Sequence, residues 1–428
     1  MLLTFIILAL TTLLFPVLYG IRWLRIQHAI NRSKPTTPLE THPLATVWLQ
    51  KANRLISQSF FLPVLIRIYL LGIIETLVTA IWKRGLLGAT NVQDTERAIE
   101  RLLGQDDKDN RTVIITGADC GIGFEITREL LKAGFHVIIT SRSLESGEAA
   151  KLQLEALTGS SRMSLFKVDL CSFADIRGFV EQMKLKFAQG EIDVLINNAG
   201  VMNIPYTTTT DGYEAQCQTN SLSPLLLSIS LLPLMNQDHG HILFAASSSL
   251  YAVSHLDPRV ARSAYSWNGL DHYAYSKMWV AQLARLLGQK LVDESSRIKV
   301  NCYHPGTVRT KLFAHTTVFN LWFAQWFFDY VMLTPKEGSG TALFLIMKHL
   351  DDNNDTLLCE NGQYWADGQA QPLPHKVTIQ LPPSPMVNAS TTSDMDQLWT
   401  VSMKQVGLTP TEVDKAIRST IKDSLSSH

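Results

Sequence analysis

The chain has 428 residues, 46% hydrophobic and 18% charged, a composition that excludes a disordered or collagen-like protein. Thirty-eight Lys and Arg balance thirty-eight Asp and Glu, and this neutrality argues against a nucleic-acid partner, which would call for a basic excess. The five cysteines form no C-x-x-C pair, so a disulfide framework is not expected and a reducing compartment fits better.

Residues 1–21 carry no charge and are rich in Leu, Ile and Phe. At helical rise they reach about 30 Å, enough to cross the hydrocarbon core of a bilayer. Nothing basic precedes the run, and Arg22, Arg25, Arg32 and Lys34 follow it. The expectation is an uncleaved anchor with the rest of the chain on the cytosolic side; the alternatives are a cleaved signal or a buried helix. A second apolar stretch, 60–82, is interrupted by Arg67 and Glu75, with Pro63 near its start. Each central charge costs about 2.5–3.5 kcal/mol on insertion scales, so an interfacial helix or shallow hairpin is favoured over a span. Membrane lipid is therefore an expected partner.

From residue 110 to about 367, short apolar β-branched runs alternate with segments long enough for a helix. The runs are TVIITG (112–117), HVIITSR (136–142), SLFKVDL (164–170), IDVLINNAG (192–200), GHILFAAS (240–247) and IKVNCYHPG (298–306). Such a pattern predicts an α/β fold, a doubly wound parallel sheet of Rossmann type forming one catalytic domain. The predicted organisation is an anchor at 1–21, a linker with a membrane-associated helix at 22–109, the α/β domain at 110–367, and a loop plus one C-terminal helix at 368–428. Pro372, Pro374, Pro382, Pro383 and Pro385 mark that loop, and residues 396–408 read as the last helix, closed by Gly407.

The chemistry begins after the first run. Gly117, Gly121 and Gly123, with Ile122 between the last two, stand in G-x-x-x-G-x-G spacing between a strand and a helix. Glycines there allow a tight turn and let backbone approach a pyrophosphate, which the helix N-terminus then holds. The second run ends in Ser141-Arg142, where an NAD site would place a carboxylate for the ribose 2′-hydroxyl. A guanidinium suits a 2′-phosphate, so NADP(H) is expected over NAD(H).

In order along the chain stand TGADCGIG (116–123), Asp169-Leu170, NNAG (197–200), Tyr273-Ala-Tyr-Ser-Lys277 and His-Pro-Gly (304–306). Together they resemble the short-chain dehydrogenase/reductase family over about residues 110–367, and within it the membrane-bound retinol dehydrogenases and the WW-domain oxidoreductase. The resemblance implies that Asp169 hydrogen-bonds the adenine amino group with Leu170 alongside, and that Asn197, a cofactor-site residue, stabilises the central strand beside the cofactor. It implies that Thr307 belongs to the cofactor site. It makes Tyr273 the general acid/base, Lys277 its partner, and Asn220 the holder of a proton-relay water. The catalytic serine is Ser247, or Ser248 if the register slips by one.

The residues support this on their own terms. Tyr273 and Lys277 are four apart and share one helix face. A free phenol titrates near 10, so a base at neutral pH needs its pKa lowered by about 3 units, worth about 4 kcal/mol, from the ammonium and the nicotinamide cation. Tyr275 has Trp279 four residues on and so lacks a charged partner. Phe313, Phe319, Trp322, Phe323, Trp326, Phe327, Phe328 and Tyr330 crowd one stretch. They suggest a greasy lid over a lipophilic small-molecule substrate, or a membrane-facing surface, with core or homodimer packing as the alternative. The expected function is hydride transfer between NADP(H) and a hydrophobic alcohol/carbonyl pair (retinoid, steroid or other lipid) at an endoplasmic-reticulum or lipid-droplet membrane. The alternative is a non-catalytic, cofactor-sensing membrane scaffold of the same fold. No metal is expected.

Overall fold

Thr112–Thr116 (β1) is a fully buried run of β-branched residues. In the computed structural model it lies near the middle of an eight-stranded sheet. The structure describes residues 43–83, 111–262, 268–315, 330–350, 360–374, 378–379 and 394–421. The expected anchor at 1–21 lies outside these residues, as do Phe319, Trp322, Phe323, Trp326, Phe327 and Phe328.

The other strands are His136–Ser141 (β2), Met163–Lys167 (β3), Val194–Asn197 (β4), His241–Ala245 (β5), His255–Leu256 (β6), Lys299–His304 (β7), Tyr364–Ala366 (β8), Gln369–Gln371 (β9) and Thr378–Ile379 (β10). The large sheet has the order β3-β2-β1-β4-β5-β7-β8-β9. All its pairings are parallel except β8 with β9. The order reverses between β1 and β4, which leaves a crevice at the carboxyl ends of those strands. β6 and β10 form a separate parallel pair.

Alternation along the central strands divides the core into two layers. Val113, Ile115, Val137, Ile139, Val194 and Ile196 face the helices Gly121–Lys132 (α3), Leu144–Thr158 (α4) and Pro335–Leu350 (α8). Ile114, Ile138, Leu195 and Ile242 face Phe173–Lys186 (α5), Ser223–Leu231 (α6) and Gly269–Asp293 (α7). The fold predicted from the strand pattern is the one observed.

The ends of the chain differ from the expectation. The boundary at 367 falls inside the turn of the β8–β9 hairpin, where Asp367 and Gly368 both have positive φ (52° and 71°). Asp-Gly favours this two-residue turn, so the signal was local. Beyond it lie two helices instead of one, Asp394–Gln405 (α9) and Pro410–Arg418 (α10). Gly407, at φ 68°, does close the first, and Thr409 with Glu412 forms a capping box for the second. Leu398, Trp399, Met403, Val413 and Ile417 join the larger core layer, and Trp279 donates its indole hydrogen bond to Ser402 Oγ at 3.1 Å.

Before the sheet stand Pro43–Gln58 (α1) and Val64–Val78 (α2), and Ile56 and Leu71 also belong to the larger layer. The window Val64–Ile81 has a mean hydropathy of 2.0, long and apolar enough by composition to cross a membrane, and 44% of it is buried in the protein. The two charges that counted against a span in the sequence, Arg67 and Glu75, are buried residues of this helix.

Candidate active site

The first strand hands the chain to α3 through the glycine turn. Gly117 needs its positive φ of 64°. At Gly123 the requirement is space. A Cβ there would lie 2.3 Å from the Gly117 carbonyl oxygen and 2.5 Å from Asn198 Nδ2. Cys120 caps α3 without a side-chain hydrogen bond, which leaves first-turn N–H groups for an anion.

This turn opens on a cleft of about 620 Å³ at the switch point of the sheet. Gly117, Gly121, Ile122, Arg142, Asp169, Leu170, Tyr273 and Lys277 all line it. The glycine cradle, the open helix end and the acidic and basic side chains further along match the donor and acceptor needs of a dinucleotide. Asp169 is half-buried, with Oδ1 accepting from the Cys171 N–H at 2.9 Å. Arg142 is exposed at the rim.

Two of the expected cofactor residues stand elsewhere. Asn197 is buried, and its amide donates to Ser228 Oγ at 3.0 Å on the far side of the sheet from the glycine turn. Its neighbour Asn198 lines the cleft and donates to the carbonyls of Thr116 (3.0 Å) and Gly117 (3.1 Å). Side chains alternate along a strand, so two adjacent asparagines cannot share a face. Thr307 is buried with its hydroxyl in a hydrogen bond to Glu75, and it is Thr310 that lines the cleft, over Gly121.

At the inner end of the cleft Tyr273 and Lys277 project from α7, one turn apart. The Lys277 ammonium donates to the Ala245 carbonyl at 2.7 Å and lies 5.7 Å from the Tyr273 ring centroid. Ser247, at the end of β5, shares a hydrogen bond with the Tyr273 hydroxyl, and it caps the following turn by accepting from the Ser249 N–H at 3.2 Å. Ser248 points away, to Glu75 Oε2 at 2.7 Å. Asn220 sits in a π turn, Gln218–Leu222. Its amide donates to the Val201 carbonyl and to Ser276 Oγ, both at 2.9 Å, and its carbonyl accepts from the Val201 N–H at 3.0 Å. It lies beside Lys277 across Gly200, whose Cβ position is 3.2 Å from Asn220 Oδ1 and 3.4 Å from Lys277 Nζ.

Burial dominates the electrostatics of the protein alone. It pushes the Tyr273 phenol up to about 12; the Ser247 hydrogen bond lowers it and the Glu75 carboxylate raises it. This is opposite to the lowering expected from the sequence. Lys277 is itself pushed down to about 8 by burial, with Cys302 acting the other way. The ammonium that was to favour phenolate is therefore held less firmly charged than a surface lysine.

Sequence reasoning missed Glu75 and gave no role to His304. The Glu75 carboxylate is buried and meets His304 Nε2 at 2.9 Å. Burial raises its pKa, but the His304 charge and hydrogen bonds from His304, Ser248 and Thr307 outweigh burial and push it down to about 2. An acidic residue breaking an apolar helix was the only signal available. Tyr275 is buried edge-on against Trp279, with ring centroids 5.9 Å apart.

The family model for short chain dehydrogenase matches residues 111–318. Retinol dehydrogenase 14 of Homo sapiens is 30% identical over 318 residues, covering 70% of this chain and 87% of that protein. The chain belongs to the short-chain dehydrogenase/reductase family. Retinol dehydrogenase 13 of Mus musculus is likewise 30% identical over 303 residues, covering 70% of this chain and 84% of that one. A crystal structure of an uncharacterized protein from Mycobacterium paratuberculosis shares the fold, with a TM-score of 0.50 and 23% identity over 71% of this chain and 96% of that one. Membership makes this chain an oxidoreductase of CH–OH groups that uses a nicotinamide dinucleotide.

Proposed function

We propose that this member of the family transfers hydride between NADP(H) and a lipophilic alcohol/carbonyl pair at a membrane surface. The observation that carries the reading is the meeting of Tyr273, Ser247 and Lys277 at the inner end of the glycine-lined cleft, beside an apolar wall. Met202, Leu270 and Tyr273 form that wall with Leu65, Ile68 and Tyr69 of α2 and with Leu312 and Phe313. Such a surface suits a hydrocarbon-rich substrate and offers little to a polar one. The names of the similar proteins, retinol dehydrogenases 13 and 14, point to the same substrate class.

When bound, the dinucleotide supplies the pyridine carbon that accepts or gives hydride. The remaining work falls to this chain. Tyr273 removes or returns the proton at the substrate oxygen. Ser247 donates a hydrogen bond to that oxygen and orients it against the phenol. Lys277 lends positive charge to the phenol as its proton leaves. Asn220 locks the loop at Val201 and packs Lys277 in place. Arg142, at the rim where the second strand ends, meets the 2′-phosphate, which selects NADP(H) over NAD(H).

Membrane association rests on apolar side chains that the domain leaves uncovered. In the α1–α2 pair, Trp48 is 60% exposed, Phe60 80% and Phe61 75%. Phe60 and Phe61, with ring centroids 6.5 Å apart at the tip of the helical hairpin, and Trp48 further back on α1 suit the bilayer interface.

Tyr273→Phe tests the mechanism. The variant should bind NADPH as the wild type does and lose turnover of all-trans-retinol and decan-1-ol by about a thousandfold, within the range for removal of a general acid/base. Wild-type turnover in that variant would remove Tyr273 from the chemistry.

A further inference from the structure

Helix α2 carries a carboxylate into the back of the site. Glu75 Oε2 accepts from Ser248 Oγ at 2.7 Å, and Oε1 meets His304 Nε2 at 2.9 Å. Thr307 adds a third donor. These partners come from three places around Tyr273. Ser248 begins the turn after β5, Ser248–Ala252, immediately next to the serine that bonds the phenol. His304 is the last residue of β7, paired with Ala366 of β8. Thr307 lies just past the His-Pro-Gly turn, in which a Cβ on Gly306 would sit 3.7 Å from Glu75 Oε1. A cavity of about 40 Å³ beside the carboxylate is bounded by Ser248, His304, Gly306 and Tyr364.

We propose that Glu75 is a positioning residue of the active site: it clamps the serine turn to the end of β7, so holding Ser247 against Tyr273, and it sets a fixed negative charge behind the phenol. The inference rests on the oxidoreductase reading above and extends the working site to a helix that lies before the residues matched by the family model, 111–318.

The physical argument starts from cost. A carboxylate in a largely apolar helix is expensive to bury, and only a full set of donors offsets it. An ion pair that merely tethered α2 could use any residue on the adjoining surface. Here the donors are the neighbour of Ser247 and the strand end and turn that flank the cleft. Burial at low dielectric also lets the charge act over a longer range than it would in water. The groups that face this pair are few. Tyr273 faces Ser247, Lys277, Glu75 and Tyr364. Glu75 faces His304, Ser248, Thr307 and Tyr364. Cys302 faces Lys277, and Arg67, on the same helix as Glu75, faces Asp271. Glu75 is the acidic group that acts on the phenol, and the direction of its effect is upward.

The test uses the full chain in detergent with NADP⁺ and whichever of all-trans-retinol or decan-1-ol the wild type oxidises. Alcohol oxidation needs the deprotonated phenol, so log kcat rises with pH through its apparent pKa. Glu75→Gln removes the charge and keeps the shape. The rising limb should move to lower pH by about one unit, the size expected for one partly screened charge. NADP⁺ affinity should be unchanged, and kcat on the alkaline plateau should fall about tenfold because the serine turn is less firmly held. Glu75→Asp keeps the charge and should leave the limb at its wild-type position. Ser248→Ala loses the clamp but keeps the charge: kcat should drop with the limb in place.

A Glu75→Gln limb coincident with the wild type overturns the charge effect, and wild-type kcat in Ser248→Ala overturns the clamp. Should Glu75→Gln fail to bind NADP⁺, Glu75→Met removes the charge by another route and is read for the same shift of the limb, while Ser248→Ala decides the clamp by kcat. An inactive wild type with intact NADPH binding would sink the functional reading instead, and so the two failures are distinguishable.

Discussion

Gly123→Ala isolates the cofactor cradle from the chemistry. The added Cβ would lie 2.3 Å from the Gly117 oxygen, 2.5 Å from Asn198 Nδ2 and 3.1 Å from Ala118 Cα. Two of these three atoms belong to backbone and cannot swing aside. Normal contact requires the strand end and the helix to part by roughly 1 Å. Overpacking of this kind costs about 1–3 kcal/mol. Asn198 would also be pushed off the Thr116 and Gly117 carbonyls, now 3.0 and 3.1 Å away, at about 1 kcal/mol for each hydrogen bond. The total, about 3–5 kcal/mol, falls on the turn that must be in place for the dinucleotide to bind. If about 3 kcal/mol of it is expressed in binding, the Kd for NADPH rises about a hundredfold, since each tenfold step is about 1.4 kcal/mol. Titration of NADPH fluorescence measures that Kd, and thermal unfolding of the same sample reports what share of the cost falls on stability. The catalytic groups lie at the other end of the cleft, so turnover at saturating NADPH should recover most of the wild-type rate. Unchanged Kd and unchanged Tm together would show that the turn is looser than this geometry, and the cradle argument would fail.

Other outcomes follow from the same site. Arg142→Asp replaces the rim guanidinium with a carboxylate that repels a 2′-phosphate and accepts from a 2′-hydroxyl; the ratio of kcat/KM for NADPH over NADH should drop by about a hundredfold, and an unaltered ratio would refute the role of Arg142. Phe60→Asp combined with Phe61→Asp, in a chain lacking residues 1–30, should move protein from the membrane pellet to the soluble fraction, because two charges at an interfacial tip oppose insertion. Pelleting equal to that of the truncated parent would show that these side chains do not meet lipid.

Much of the site was legible because its signals are short-range. A strand announces itself by β-branched runs, a phosphate turn by glycines placed where a Cβ cannot go, and Tyr273 and Lys277 share a face because helical residues four apart always do. Periodicity puts Asn197 and Asn198 on opposite faces, but only the structure shows that Asn198 lines the cleft while Asn197 ties the central strand to Ser228. The choice between Ser247 and Ser248 was different in kind. Both follow β5, and only the packing of α7 on one side and α2 on the other brings Tyr273 to the first and Glu75 to the second.

The sequence by itself therefore determined the doubly wound sheet, the dinucleotide turn and the tyrosine–lysine pair, each set by backbone geometry within a few residues. Tertiary structure alone decided what the second apolar segment does with its charges. Glu75 lies 173 residues from Ser248 and 229 from His304 along the chain. A carboxylate in an apolar helix reads the same whether it interrupts a membrane segment or meets buried donors. Burial energy depends on which groups surround a charge, and three-dimensional packing is what assembles them.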